Sequence, residues 1–340
     1  MRIETAMNAL ELALDYPACA DILTVEFSGG EPLLNFKLIR DFIPRANKMA
    51  ETKGKKLSFS IQTNGTLFND ENIIFLKDNN VDIGISIDGT ADVHDKNRVF
   101  PNGTGSNAII VANISKLRQH GITPSLLAVV SSAEQYDSVV QFANENSIKE
   151  IRTNLVTKAG RAEGKDEYTV DYEALADKYI KVCQDILEGK LQVNDATLTF
   201  FLWNLILNQP HMCFRSPCGA GKNQVSVTSD GNLYPCQGWR NIHDKPLGNV
   251  NELKSLKETL DFSERVNGLR KHNVRCLEIC QECECKAFCG VCPREIYTET
   301  GSLNQRIGVC SFQRKVFSEL MWLFVEYEDQ IKEYLLGAYA

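Results

Sequence analysis

The first 182 residues of this 340-residue chain hold a single cysteine, Cys19. That scarcity excludes a disulfide framework for the front half. No run of ~18 apolar residues occurs, so the sequence offers no membrane span. Positive charge is in deficit: 37 Lys and Arg stand against 44 Asp and Glu, a net charge of −7, and no basic footprint for nucleic acid is expected. The first 20 residues carry Glu4, Glu11 and Asp15 in an amphipathic pattern, which is not that of a secretory signal. Together these point to a reducing cytoplasm, with thiols used for metal ligation.

What the front lacks, the back has in excess. Apart from Cys19 and Cys183, every cysteine lies between Cys213 and Cys310. The spacing reads Cys213-x4-Cys218-x17-Cys236, then Cys280-x2-Cys283-x1-Cys285-x3-Cys289-x2-Cys292, then Cys310. Thiolates in this pattern suit iron–sulfur clusters and zinc alike, in two sites of four ligands each. Cys276 and Cys285 are surplus to that count, and Cys285 is close enough in sequence to compete with Cys283. Cys19 and Cys183 sit in helical, apolar contexts and read as small buried hydrophobes.

The front half alternates between strand and helix patterns. Strands are expected at 22–27, 57–62, 81–87, 125–130 and 150–156, and helices at 1–14, 36–50, 69–78, 106–120 and 133–146, with Asn69 and Ser132 as caps. Five βα units predict an α/β fold with a parallel sheet and right-handed crossovers. The Gly-rich and polar signals follow the strands, at the carboxyl edge where such sheets bind ligands. The 171–208 segment reads as helical and apolar, a bridge to the cysteine region, and 312–339 as one long amphipathic helix. The expected organisation is a sheet domain at 1–165, a helical bridge at 166–210 and a metal domain at 211–340.

Three post-strand motifs occur in order: Ser28-Gly29-Gly30-Glu31-Pro32, then Gln62-Thr63-Asn64-Gly65-Thr66, then Ser86-Ile87-Asp88-Gly89 followed by His94-Asp95-Lys96-Asn97-Arg98. Each alone is ordinary turn chemistry. As an ordered set they resemble the radical S-adenosylmethionine superfamily, in the branch with a C-terminal SPASM domain that includes peptide maturases and anaerobic sulfatase maturases. The resemblance covers residues 22 to about 312. It implies a partial (βα)6 barrel missing its first strand, followed by a SPASM domain. It also implies S-adenosylmethionine as cofactor, with Gly29, Gly30, Glu31 and Pro32 at its amino group. Thr63, Asn64, Ser86 and Arg98 would line its ribose and carboxylate side, and Leu155 its adenine.

The cysteines match the SPASM pattern: Cys218-x12-Gly231-x4-Cys236, then Cys280-x2-Cys283-x5-Cys289, then Cys310, with Cys289-x2-Cys292 one residue short of the usual spacing. By resemblance Cys280, Cys283, Cys289 and Cys310 hold one auxiliary [4Fe–4S] cluster, and Cys213, Cys218, Cys236 and Cys292 the other. The family's catalytic cluster needs Cys-x3-Cys-x2-Cys ahead of the Gly-Gly-Glu-Pro turn, where this chain has only Cys19. The expectation is therefore a truncated product, whose full-length form carries that cluster, or a degenerate homologue. Sulfatase maturases place a basic aspartate after the cysteine of Gly-x4-Cys. Gln237 stands there instead, and an amide takes no proton at neutral pH. The implied function is radical modification of a peptide or protein by crosslinking or side-chain oxidation, with an external electron donor. The alternative is a non-catalytic iron–sulfur or zinc module that binds a peptide.

Overall fold

The computed structural model describes residues 1–157, 162, 164, 169–208, 212–242 and 245–337. The domain limits expected at 165/166 and 210/211, and the last residues of the expected terminal helix, fall outside them. Six strands form the main sheet: β1 (Ile22–Phe27), β2 (Lys56–Thr63), β3 (Val81–Ser86), β4 (Ser125–Val130), β5 (Glu150–Leu155) and β6 (Asn194–Asp195). They follow one another across the sheet in chain order. Helices α1 (Ile3–Leu14), α2 (Phe36–Thr52), α3 (Asp70–Asp78), α4 (Ala91–Asn97), α5 (Asn107–Gln119) and α6 (Ala133–Glu145) alternate with the first five strands. The chain then runs through α7 (Tyr172–Leu187) and α8 (Ala196–Leu202). A three-stranded antiparallel sheet follows, of β7 (Ser226–Val227), β8 (Asn232–Tyr234) and β9 (Gly248–Asn249). The remaining helices are α9 (Leu256–Asp261), α10 (Glu264–Lys271), α11 (Pro293–Thr300), α12 (Val309–Glu326) and α13 (Glu328–Gly337).

The chain divides into two compact units. The first holds Met1–Ser86, Ser106–Pro124 and Ala220–Gly268. Strands β1, β2 and β3 pair in parallel in it, with Val25 opposite Phe59 and Ile61 opposite Ile83. Helix α2 buries Ile39, Phe42, Ile43, Ala46 and Ala50, a stripe at helical spacing. Helix α3 starts at a capping box in which Asn69 and Asn72 each bond the other's backbone N–H. A second apolar cluster, of Leu233, Val250, Leu256, Leu260 and Val266, receives Ala9, Leu12 and Tyr16 of the α1 region. The start of the chain and the three-stranded sheet are thus one packing unit, although some 220 residues of sequence separate them.

The second unit holds Ile87–Gly105, Ser125–Gly219 and Leu269–Ala340. In it β4, β5 and β6 pair in parallel. The Tyr136 and Tyr179 rings stack with centroids 3.9 Å apart, and Phe312 meets Tyr179 edge-on at 5.1 Å. Both tyrosines are fully buried beside Asp195. The Tyr136 hydroxyl donates to Asp195 Oδ2 at 2.7 Å, and the Thr197 N–H donates to Oδ1 at 2.8 Å. Burial holds the Asp195 carboxyl above the usual carboxylate range.

Two expectations change. The segment expected to be a helical bridge contains strand β6. The expected single C-terminal helix breaks at Tyr327, which leaves helical geometry at φ −123°, ψ 38°. No helix among the described residues is long and apolar enough to cross a membrane.

Candidate cofactor site and thiol sets

Strand β1 delivers its chain into the Gly29–Gly30 turn. Gly29 has φ +140°, a conformation open to glycine and costly for other residues. Both glycines are exposed. A Cβ on Gly30 would meet nothing within 4 Å, so packing does not dictate its identity. Glu31 follows, and its carboxylate binds the chain itself. Oε1 accepts from the Leu33 N–H at 3.0 Å and from the Thr63 hydroxyl at 2.7 Å. Oε2 accepts from the Asn64 N–H at 2.7 Å. Three of roughly four acceptor positions are thereby filled. Glu31 locks the turn after β1 to the turn after β2.

The second turn is braced in its own right. Thr63, almost fully buried, accepts the Gly65 N–H at 3.1 Å, and Asn64 Oδ1 accepts the Thr66 N–H at 2.9 Å. Asn113 of α5 donates to the Gly65 carbonyl at 2.8 Å. Ser86, at the end of β3, accepts Gln62 Nε2 at 3.0 Å. Gly29, Gly30, Glu31, Thr63 and Asn64 therefore form one hydrogen-bonded carboxyl edge in the first unit, with Pro32 opening a short 3-10 turn behind it.

The same unit brings the 237–241 turn to this edge. Gln237 Nε2 donates to Ser28 Oγ at 3.2 Å. Arg240 Nη1 is the nearest atom to the position a Gly29 Cβ would take, at 3.8 Å. Arg240 is not among the residues the motifs single out. A cation four residues past the Gly-x4-Cys cysteine was the available signal.

In the second unit Arg98 is occupied by the chain. Its Nε and Nη2 donate to the two oxygens of buried Asp88, at 2.6 and 3.0 Å. Asp88 also accepts the Val129 N–H at 3.2 Å, and its own N–H donates to His94 Nδ1 at 3.1 Å. His94 is fully buried, and burial lowers its pKa below the usual imidazole value. Leu155 lies half-buried at the end of β5.

The thiols of the second unit form two sets. Burial first, then Cys310, Cys280 and Cys283, push Cys289 up to about 12. Burial followed by Cys283 and Cys310 raises Cys280, and burial followed by Cys283 raises Cys310. These four lie within electrostatic reach of one another. Cys292 is raised by burial, then by Glu295, with Cys218 contributing as well. Gly290 brings in the Cys213 segment: a Cβ there would fall 2.1 Å from the Phe214 carbonyl carbon. Asn204 Nδ2 ties the same two segments together by donating to the Phe214 carbonyl at 2.7 Å and the Phe288 carbonyl at 3.2 Å. Cys236 belongs to the first unit. Cys285 is buried, its thiol directed at the Arg314 carbonyl at 3.9 Å, and Cys276 is exposed.

Among the described residues no three Cys, His, Asp or Glu side chains converge closely enough to hold one metal ion. Thiolates set further apart than one ion allows are the donor type of a polynuclear cluster, in which each bonds its own iron. Binding iron would release the protons that burial favours on Cys280, Cys289 and Cys310.

Residues 2–146 match the family described as radical SAM superfamily, and residues 218–284 match SPASM, an iron-sulfur cluster-binding domain. A cysteine-type anaerobic sulfatase-maturating enzyme of Clostridium novyi (strain NT) is 28% identical over 267 residues, spanning 74% of this chain and 69% of that protein. The solved structure of native anSMEcpe with bound AdoMet and Kp18Cys peptide covers 96% of this chain and 90% of its own, with TM-score 0.83 and 22% identity. Streptococcus suis SuiB bound to precursor peptide SuiA covers 91% and 69%, with TM-score 0.65 and 16% identity. Both share the fold.

Proposed function

We propose that this chain, whose residues 2–146 match the radical SAM superfamily and whose residues 218–284 match an iron–sulfur cluster-binding SPASM domain, serves in the radical maturation of a peptide or protein. The observation that carries this reading is the open Gly29–Gly30 turn, braced by Glu31 onto Thr63 and Asn64. Backbone at such a turn approaches a ligand closely, with no side chain in the way. In this reading Gly29, Gly30, Glu31 and Pro32 shape the site for the amino end of S-adenosylmethionine. Thr63, Asn64, Ser86, Arg98 and Leu155 line the remainder. S-adenosylmethionine, cleaved by reduction at an iron–sulfur cluster, supplies the radical that takes a hydrogen from the substrate.

Cys280, Cys283, Cys289 and Cys310 hold one auxiliary cluster in this proposal, and Cys213, Cys218, Cys236 and Cys292 the other. Residues 1–165, 166–210 and 211–340 then act as barrel, bridge and cluster domain. A peptide substrate is supported by the relatives, which include sulfatase-maturating enzymes and peptide-bound structures. Gln237 cannot take up a proton, which favours crosslinking or another side-chain oxidation over a reaction that needs a base there. The chemistry calls for an external electron donor and for a reducing compartment, the cytoplasm.

Anaerobic reconstitution with iron and sulfide tests the reading. Roughly eight irons per chain and the broad visible absorption of [4Fe–4S] clusters are expected; a chain that takes up only zinc refutes it. The second reading is a peptide-binding homologue without catalysis; formation of 5′-deoxyadenosine from S-adenosylmethionine would exclude it.

A further inference from the structure

We propose that Gln313 is a positioning residue for Cys289: its side-chain amide turns to give an N–H to the Cys289 sulfur once that sulfur bonds iron, and so raises the reduction potential of the cluster. The proposal rests on the reading of Cys280, Cys283, Cys289 and Cys310 as one cluster site, and it adds to that site a residue that is not a ligand. Helix α12 buries an apolar stripe from Val309 to Leu323 with one amide inside it, Gln313, which is only 7% exposed. An amide is costly to bury unless its polar atoms find partners. Gln313 Oε1 accepts from the Cys289 thiol at 3.0 Å, and its Nε2 has no hydrogen-bond partner among the described residues.

A sulfur bonded to iron keeps no proton and has only lone pairs to offer. The contact with Oε1 would then set two acceptors against each other. Rotation of the amide about its terminal bond, a soft torsion, exchanges Oε1 for Nε2 and restores a hydrogen bond. Cys285 supplies the contrast. Its thiol is directed at an oxygen of the next residue on α12, the Arg314 carbonyl, at 3.9 Å. The helix fixes the direction of a backbone carbonyl, so that sulfur has no donor to gain there. The Cys289 sulfur also receives the Val291 N–H, and Gln313 makes a second donor. Hydrogen bonds to the sulfurs stabilise the electron that a cluster takes up, and they are one of the protein's levers on its potential.

Anaerobic reconstitution of the full chain, followed by a potentiometric titration read by EPR, tests this. The signal of this site is the one lost in Cys289→Ala. Gln313→Met keeps the length and removes the donor; Gln313→Glu keeps the shape and replaces the NH2 with an oxygen. Loss of one charge-assisted hydrogen bond should lower the ratio of reduced to oxidised cluster ~3- to 10-fold at a fixed potential, which at ~59 mV per tenfold is a downward shift of ~30–60 mV. Gln313→Glu should fall below Gln313→Met. Any signal that survives Cys289→Ala should keep its potential in both variants. A cluster with the same potential in all three proteins overturns the proposal and leaves the reading of the site intact. If the variants load no cluster, pulsed EPR of the reduced wild type decides. With a heavy-nitrogen label confined to glutamine side-chain amides, a coupling of that nitrogen to the cluster is expected, and its absence overturns the proposal. A wild type that forms no [4Fe–4S] cluster overturns both.

Discussion

Glu31→Gln isolates what the Glu31 carboxylate does, because it keeps shape and volume. Glu31 accepts two backbone N–H groups, from Leu33 and Asn64, on different oxygens. An amide has one acceptor oxygen, so either rotamer sets an NH2 group against one of those donors. The Thr63 hydroxyl can rotate to accept from that NH2; a backbone N–H cannot. One backbone donor is therefore orphaned, at ~1–3 kcal/mol, and the bonds that survive lose their charge assistance. A total of ~2–3 kcal/mol corresponds to a ~30- to 150-fold rise in the local opening constant. Amide hydrogen exchange of the apo chain reads this directly. Leu33 or Asn64 should exchange faster by that factor, while Ile61 in the middle of the sheet keeps its protection. Exchange within ~3-fold of wild type at both positions would show that the carboxylate does not hold the two turns together. If the turn binds S-adenosylmethionine, the same variant should weaken that binding.

The second unit should lose stability in mild acid. Burial lowers the pKa of both His94 and His272 below the usual imidazole value of 6.5. As pH falls through that value the unfolded chain takes up protons that the folded chain refuses. Stability is thus full above it and declines below it, and the double variant His94→Asn/His272→Asn should flatten the melting temperature between roughly pH 5 and 7. Gly290→Ala drives a Cβ into the Phe214 backbone, which cannot rotate away. It should cost about 3 kcal/mol or more, seen as a lower melting temperature and less bound iron. Cys289→Ser should reduce iron per chain after reconstitution, whereas Cys285→Ala should not; the reverse result would reassign the ligand set.

Much of the sheet was legible because buried parallel strands write themselves as short apolar runs closed by turn residues. Strands β1 and β4 fall on the expected residues, and Asn69 and Ser132 cap α3 and α6 as read. Strand β6 was not legible. Its two residues, Asn194 and Asp195, are poor strand formers. They extend the sheet because Glu150 and Ile151 offer a free edge and Asp195 finds Tyr136 and Thr197 in the interior. The break at Tyr327 has no glycine or proline to announce it.

The site shows the same division more sharply. Motif and spacing picked out Gly29 through Pro32, Thr63 and Asn64, but they could not say that Glu31 faces inward, because its partners lie 32 and 33 residues away. The thiols make the limit plainest. Cys285, Cys289 and Cys292 stand in a Cys-x3-Cys-x2-Cys spacing, the one expected of a single catalytic cluster. Their thiols have different surroundings. Cys289 lies within reach of Cys280, Cys283 and Cys310, Cys292 within reach of Cys218, and Cys285 turns to the Arg314 carbonyl. Gly290 sits where they diverge, its backbone pressed against Phe214, so the segment bearing Cys213 is packed against the stretch between Cys289 and Cys292. Local spacing proposes ligands, but the close approach of a distant backbone decides which thiols can share an iron–sulfur core.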